Sequence, residues 1–112
     1  MIKRIKPGAR LCEAVVVNGV ITTAGITGDG ADTTGQTRDI LAQIDGLLAE
    51  AGTSKAKLLS ANIWLRDIAH FDQMNAVWDQ WVDKNNLPVR ATVEARLAAP
   101  ELLVEIQVSA LI

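Results

Sequence analysis

The sequence predicts an α+β fold in which one mixed β-sheet carries two helices on one of its faces. Six short segments are rich in β-branched residues or alternate apolar and polar residues, which is typical of strands. Two longer segments repeat apolar residues at a period of 3.6, which is typical of helices. The predicted order is β-β-β-α-β-α-β-β, within a single domain over residues 1–112.

Composition limits the function classes. Hydrophobic residues make up 49% of the chain and charged residues 21%, which is ordinary globular usage. The net charge of −2 argues against a general binder of nucleic acid or anionic membranes, since either needs a basic surface. One cysteine, Cys12, allows no intramolecular disulfide, and no apolar run reaches membrane-spanning length. We expect a soluble cytoplasmic protein without a signal peptide, a nucleic-acid partner or a membrane partner.

The N-terminal third predicts three strands. Residues 2–6 alternate apolar and basic side chains before Pro7, as in a short edge strand. Asn18 and Gly19 lie between two β-rich runs, residues 13–17 and 20–25, and this pair favours a tight hairpin turn. Residues 27–34 are rich in Gly, Asp and Thr and predict a loop.

Two helices are predicted from apolar spacing. The first is indicated by Ile40, Leu41, Ile44, Leu47, Leu48 and Ala51. Thr33 or Thr34 can cap its start, and Gly52 suits a left-handed residue after its end. The second is indicated by Phe71, Met74, Trp78, Trp81 and Val82, and it must end before Pro88.

The remaining strands are expected at residues 57–66, 91–97 and 103–111, with a turn at residues 98–101 between the last two. In the first of them, one face should carry Leu59, Ala61, Ile63 and Leu65, and the other Leu58, Ser60, Asn62 and Trp64. Two helices cover only one face of such a sheet. We therefore expect the other face to be buried by self-association, with a polar-lined cleft between subunits.

Several familiar sites are absent. The chain has neither of the glycine-rich phosphate-binding motifs, and one histidine with one cysteine leaves no zinc cluster. We interpret His70 as a residue of the first turn of the second helix and Cys12 as a small half-buried side chain. Trp64, Trp78 and Trp81 could form a stacking platform for bases, but Trp78 and Trp81 lie on the apolar stripe and favour the core.

The candidate site lies near the C-terminus. Arg90 follows Pro88 at the start of a strand, where a rigid guanidinium can hold a carboxylate through two parallel hydrogen bonds. Glu105 lies between Val104 and Ile106, and a carboxylate in a buried strand is usually paired or used chemically. A structural Arg90–Glu105 bridge at a subunit interface remains the alternative.

The chain resembles the RidA or YjgF-type family of reactive-intermediate deaminases. The resemblance covers nearly all of the sequence and is strongest in a proline–arginine motif followed by a Val-Glu-Ile tripeptide. The residues that carry it are Val17, Asn18, Gly19, Thr23, Ala24, Gly25, Gly35, Gln36, Thr37, Ile40, Leu41, Ile44, Leu65, Arg66, Asp67, Phe71, Met74, Asn75, Pro88, Val89, Arg90, Val93, Glu94, Ala95, Arg96, Leu97, Val104, Glu105 and Ile106.

The resemblance implies a chorismate-mutase-like fold and a homotrimer with clefts between subunits. It also implies hydrolysis of 2-imino and enamine acids, such as 2-aminoacrylate and 2-iminopropanoate, to 2-keto acids and ammonia, without a metal or cofactor. Arg90 matches the family arginine and Glu105 the water-positioning glutamate. The other substrate-binding positions would be Gly25, Asn75, Thr92 and Leu11.

Three positions depart from the family pattern. Leu11 stands where many members have a tyrosine, Ala24 replaces a small hydroxyl residue, and Thr92 occupies a position that is often cysteine. These departures concern the wall of the cleft and bear on which substrate side chain is preferred.

Two other functions remain open at this point. A non-catalytic trimer could bind small carboxylates through Arg90, for example as a metabolite sensor, without using Glu105. An RNA-directed nuclease or translation inhibitor is also ascribed to this family, but such a protein should bind RNA in a strongly salt-dependent way, and the chain has no basic stripe.

Overall fold

A computed structural model describes all 112 residues of the chain. Six strands and two helices follow one another in the order β1-β2-β3-α1-β4-α2-β5-β6, so the predicted order is confirmed. The elements are β1 (Lys3–Pro7), β2 (Cys12–Val17), β3 (Val20–Thr23), α1 (Thr33–Glu50), β4 (Leu58–Leu65), α2 (Phe71–Trp81), β5 (Val89–Glu94) and β6 (Val104–Leu111).

The strands form one mixed sheet in the order β1-β2-β3-β6-β4-β5. All neighbouring pairs are antiparallel except β4 and β5, which are parallel because α2 forms the crossover between them. The turn predicted at residues 98–101 is present, but the two strands that it separates, β5 and β6, are not paired. β4 lies between β5 and β6, and residues 95–103 run from the sheet edge back to its centre.

The predicted hairpin between β2 and β3 is confirmed. Asn18 and Gly19 both have positive φ values, 52° and 76°, as the tightest hairpin turns require. The turn sets Val17 opposite Val20 and keeps the two strands in register as far as Ala14 and Thr23.

The start of α1 differs from the sequence prediction by one residue. Asp32, rather than Thr33 or Thr34, is the capping residue, and its Oδ1 accepts a hydrogen bond of 2.8 Å from the Gly35 amide. Thr33 is buried, and its hydroxyl lies 3.0 Å from Nδ1 of His70. At the other end Gly52 has a φ of 84°, as predicted.

The helix α2 packs its apolar stripe on the sheet. Met74, Val77 and Trp78 are buried, and Phe71 and Trp81 pack against the same core, which confirms that Trp78 and Trp81 belong to the core. His70 precedes the helix at its N-cap position instead of lying inside its first turn. Neither helix is long and apolar enough to cross a membrane.

One face of β4 begins differently from the prediction. The register between β4 and β6 shifts between Leu58 and Ser60, so Leu58 is buried and Leu59 is 41% exposed. A bulge adds one residue and reverses the alternation before it. From Ala61 onward the predicted alternation holds, with Ile63 and Leu65 in the core.

The two faces of the sheet have different surroundings. On the helix-covered face, apolar residues of every strand except β5 form a continuous core with α1 and α2. On the other face, which we call the open face, β6 presents Glu105, Gln107 and Ser109, while its alternate residues are buried. Val93 and Leu111 also lie exposed at the open face, as expected for a sheet covered on one side only.

Candidate functional site

Arg90 projects from the edge strand β5 toward the helix-covered side. Its register partner is Ala61, which is buried beneath the helices, so the two side chains share that face. The guanidinium carbon lies 5.2 Å from the ring centre of Trp78 and 5.8 Å from that of Phe71. Both rings are at cation–π distance and restrict where the guanidinium can point.

The guanidinium lines a cavity of about 590 Å³. The single ion pair of the chain joins Lys6 to Glu13, so no carboxylate forms a salt bridge with Arg90. Burial lowers the pKa of Arg90, and the charge of nearby Asp79 raises it in part. Because an arginine stays protonated in proteins, the cavity holds a fixed, partly desolvated positive charge. The lining residues are Asn75, Trp78, Asp79, Val82, Lys84, Leu87, Pro88 and Arg90.

Two further predicted residues lie on the same side as Arg90. Asn75 lines the cavity from α2, and Thr92 lies two residues along β5 with the same strand orientation as Arg90. Asn75 Oδ1 and Thr92 Oγ1 are buried and have no hydrogen-bond partner. Unpartnered buried oxygens are rare in folded proteins and often mark a functional site. Arg90, Asn75 and Thr92 together are called the arginine half-site below.

Glu105 lies in a different setting. It is on β6, which has a neighbouring strand on each side, and its side chain is on the open face. The carboxylate lies directly over Gly25, where an added Cβ would overlap with Oε2. No ion pair engages it. Gly25 and Glu105 are called the glutamate half-site below, and Leu11, in the turn before β2, is 62% exposed.

A single chain does not bring the two half-sites together. Arg90 aligns with Ala61 and points to the covered face, whereas Glu105 aligns with Trp64 and points to the open face. The three-residue offset along β4 corresponds to about 10 Å, and the two strand spacings across it add about 10 Å in the other direction. No direct Arg90–Glu105 bridge forms within one chain, and the bridge at a subunit interface stays an alternative.

The aromatic contacts of Arg90 are not predicted by the sequence patterns. Phe71 and Trp78 lie on the core stripe of α2, yet each also presents a ring to the guanidinium. Phe71, Asn75 and Trp78 are spaced at i, i+4 and i+7, which places them on one helix face. That spacing is visible in the sequence, but the parallel placement of β5 under this face is not.

The fold and the half-sites together define an α+β protein of the chorismate-mutase-like type with an unpaired arginine at a cavity. The chain belongs to the Endoribonuclease L-PSP family, whose model matches residues 1–112. This confirms the predicted RidA/YjgF-type family, because the relatives of the chain carry the RutC and YjgF family names.

Two curated relatives match almost from end to end. A RutC family protein of Haemophilus ducreyi is 41% identical over 114 residues, which cover 100% of this chain and 97% of that protein. The RutC family protein YoaB of Escherichia coli is 40% identical over 110 residues, which cover 97% of this chain and 96% of that protein.

Two crystal structures resemble this one closely. A YjgF family protein of Neisseria meningitidis is 46% identical, covers 99% of this chain and 94% of its own, and superposes with a TM-score of 0.97. A YjgF/YER057c/UK114 family protein of Mycobacterium tuberculosis is 32% identical, covers 100% of both chains, and has a TM-score of 0.93. The predicted fold class is confirmed.

Proposed function

We propose that this protein is a deaminase that hydrolyses reactive 2-imino acids and their enamine tautomers to 2-keto acids and ammonia. The observation that carries the proposal is the Arg90 guanidinium, which forms no salt bridge, lies over two aromatic rings and lines a cavity of about 590 Å³. Family membership is consistent with a deaminase role. The substrates are small carboxylates, such as 2-iminopropanoate.

Arg90 binds the substrate carboxylate. A guanidinium donates two parallel hydrogen bonds to a carboxylate, so it sets both the position and the orientation of the bound acid. Partial desolvation strengthens this contact, because less water competes for the charge. The polar backbone near Arg90 and Thr92 holds the imine end.

Glu105 activates water. It accepts a proton as the water oxygen bonds to C2 of the imine, which gives a carbinolamine. Glu105 returns the proton to the nitrogen, the C2–N bond breaks to release ammonia, and the C2 hydroxyl gives its proton to Glu105 as it becomes the carbonyl of the 2-keto acid. A single acid–base group contributes about 10²–10⁴ in rate, which suits a hydrolysis that already proceeds in water.

The complete site requires two copies of the chain. Arg90 and Glu105 lie on opposite faces of the sheet, so one site combines Arg90 of one subunit with Glu105 of the partner subunit. The exposed apolar residues of the open face, Val93 and Leu111 among them, give the copies a surface to bury. We propose a homotrimer with three such clefts, assembled in the cytoplasm.

A coupled assay tests the activity. An amino-acid oxidase generates the imine, semicarbazide traps what remains, and keto-acid formation is followed with and without this protein. We expect acceleration by the parent protein and none by either Arg90→Met or Glu105→Gln. If the parent leaves the rate of keto-acid formation unchanged for a panel of amino acids, the proposed reaction is wrong.

Mixing the two inactive variants tests the shared cleft. Co-expressed Arg90→Met and Glu105→Gln chains should recover about a quarter of the parent activity, since each site draws its arginine and glutamate from different chains at random. Recovery disappears if both groups come from one chain, because every site then carries a defect. No recovery from verified mixed oligomers would therefore overturn the shared cleft while leaving the reaction itself in place.

One observation favours a second function, a non-catalytic module that binds small carboxylates or senses a metabolite. The arginine half-site is formed within a single chain, and none of its three members, Arg90, Asn75 and Thr92, is a general base. Such a module would bind carboxylates equally well before and after the substitution Glu105→Gln and would not accelerate imine loss. The coupled assay therefore distinguishes the two functions, because both predict that the Glu105→Gln variant still binds pyruvate.

A further inference from the structure

Gln36 is a buried amide that joins two distant loops. Its side chain is in the first turns of α1 and is only 3% exposed. Nε2 donates hydrogen bonds to the carbonyls of Gly30, at 3.1 Å, and Glu101, at 2.9 Å. Oε1 accepts one of 2.9 Å from the amide of Leu103. The amide thus connects the loop after β3 with the segment that leads into β6.

These two loops carry the two members of the glutamate half-site. Gly25 belongs to the first loop, and Glu105 comes two residues after Leu103. Between them, Ile26 and Ile106 exchange two backbone hydrogen bonds of 2.8 and 3.0 Å. The same two segments therefore meet at two places. One is the Gly25–Glu105 contact, and the other is the set of hydrogen bonds from Gln36 to Gly30, Glu101 and Leu103.

The Glu105 carboxylate forms no ion pair that could hold it in place. Its position depends on where the backbone of β6 lies relative to Gly25. A buried amide that satisfies three backbone groups is a rigid restraint, because each of those groups would lose its partner if the loops separated.

We propose that Gln36 is a positioning residue for the deamination, which holds Gly25 and Glu105 in contact without touching the substrate. This inference rests on the proposed function and deepens it. A small displacement of a catalytic group costs rate more than affinity, because the substrate carboxylate is held by Arg90, which Gln36 does not contact.

The matched control is Gln43, a second glutamine of α1. Its Nε2 donates to the Thr27 carbonyl of the same loop, at 2.9 Å, but it is exposed and makes no contact with the segment before β6. Gln36→Met and Gln43→Met remove the same amide and leave a side chain of similar length. Gln36→Glu is the finer variant, since it keeps the acceptor for Leu103 and loses the two donated hydrogen bonds.

Two measurements are made on the full-length protein. In the coupled assay we expect Gln36→Met and Gln36→Glu to lower kcat about 10- to 100-fold with KM changed less than about twofold. In hydrogen exchange, the amides of Ile26 and Ile106 should exchange at least about tenfold faster, while those between β4 and β5 keep their protection. Gln43→Met should match the parent in both measurements.

The outcomes separate this inference from the proposed function. With an active parent protein, three results would overturn the positioning role of Gln36. They are faster exchange of amides throughout the sheet, a rise in KM as large as the fall in kcat, and an equal effect of Gln43→Met. If the parent itself shows no imine hydrolysis, the proposed function fails. The exchange of Ile26 and Ile106 in Gln36→Met then decides alone whether Gln36 holds the Gly25–Glu105 contact.

Discussion

The two half-sites are built in opposite ways. Arg90 lies on β5, which has a neighbour on one side only, and its long side chain is guided by the rings of Phe71 and Trp78. Glu105 lies on β6, between β3 and β4, and its carboxylate is placed by the backbone against Gly25. The arginine is positioned by side-chain packing, and the glutamate by strand pairing.

This difference predicts which kinetic constant a mutation in each half-site should change. Damage to the packing around Arg90 should weaken binding of the acid, since the guanidinium loses its orientation but the strand remains. Damage around Glu105 should slow the chemical step, because the carboxylate moves relative to the bound acid. The two halves are therefore separable by their effects on KM and kcat, and mutations can be ordered by how strongly they test that separation.

The largest expected effect is that of Arg90→Met. It removes two charge-assisted hydrogen bonds, worth about 3–6 kcal/mol together, so kcat/KM should fall by about 10²–10⁴. Pyruvate binding, measured by calorimetry, should disappear as well. Arg96→Met is the control, because Arg96 is an exposed arginine just after β5. Retention of pyruvate binding by Arg90→Met would show that the carboxylate lies elsewhere.

Glu105→Gln should have the next largest effect. The amide keeps the shape of the side chain but cannot accept a proton from water, so we expect kcat to fall by about 10²–10³. Pyruvate should bind with unchanged affinity, since in the proposed site Arg90 and not Glu105 holds its carboxylate. If pyruvate affinity fell by the same factor as kcat, binding and the chemical step would depend on both half-sites together, and the proposed separation of their roles would be wrong.

Most of the fold could be predicted because its signals are local. The hairpin depends on Asn18 and Gly19 alone, and the helices follow from apolar spacing. The errors arose where a local pattern has two solutions. Asp and Thr are both residue types that cap helices, but Asp32 accepts the hydrogen bond from the Gly35 amide, while the Thr33 hydroxyl lies against Nδ1 of the distant His70. The bulge at Leu59 depends on pairing with β6, which is distant in sequence.

The candidate site was predictable in composition but not in arrangement. The residue types and the resemblance indicated Arg90 and Glu105, yet their opposite orientations depend on the strand order. The position of β4 between β5 and β6 depends on contacts between residues that are distant in sequence, and α2 forms the crossover that places β5 parallel to β4. Gln36 was named only as part of a motif, because its hydrogen bonds join backbone groups up to 67 residues away.

Gly25→Ala should have an intermediate effect confined to the glutamate half-site. The added Cβ would overlap with the Glu105 carboxylate and push it aside, so kcat should fall about tenfold. The control is Gly46→Ala in α1, where nothing lies near the added Cβ and helix propensity should raise stability by about 0.5–1 kcal/mol. Thermal unfolding and kcat are measured for both. Unchanged kcat in Gly25→Ala would argue against a role for Glu105 at this position.

Phe71→Leu should have the smallest effect and should fall on the arginine half-site. It removes the aromatic ring that lies 5.8 Å from the guanidinium carbon, while the Trp78 ring remains 5.2 Å from it. A cation–π contact at a partly exposed site contributes about 0.5–1 kcal/mol, so KM should rise about two- to fivefold with kcat unchanged. Phe71→Tyr keeps the ring and should keep the parent KM. If instead Phe71→Leu lowered kcat at constant KM, the ring would act on the chemical step. The packing around Arg90 would then affect the same kinetic constant as the backbone around Glu105, and the two half-sites could not be separated by KM and kcat.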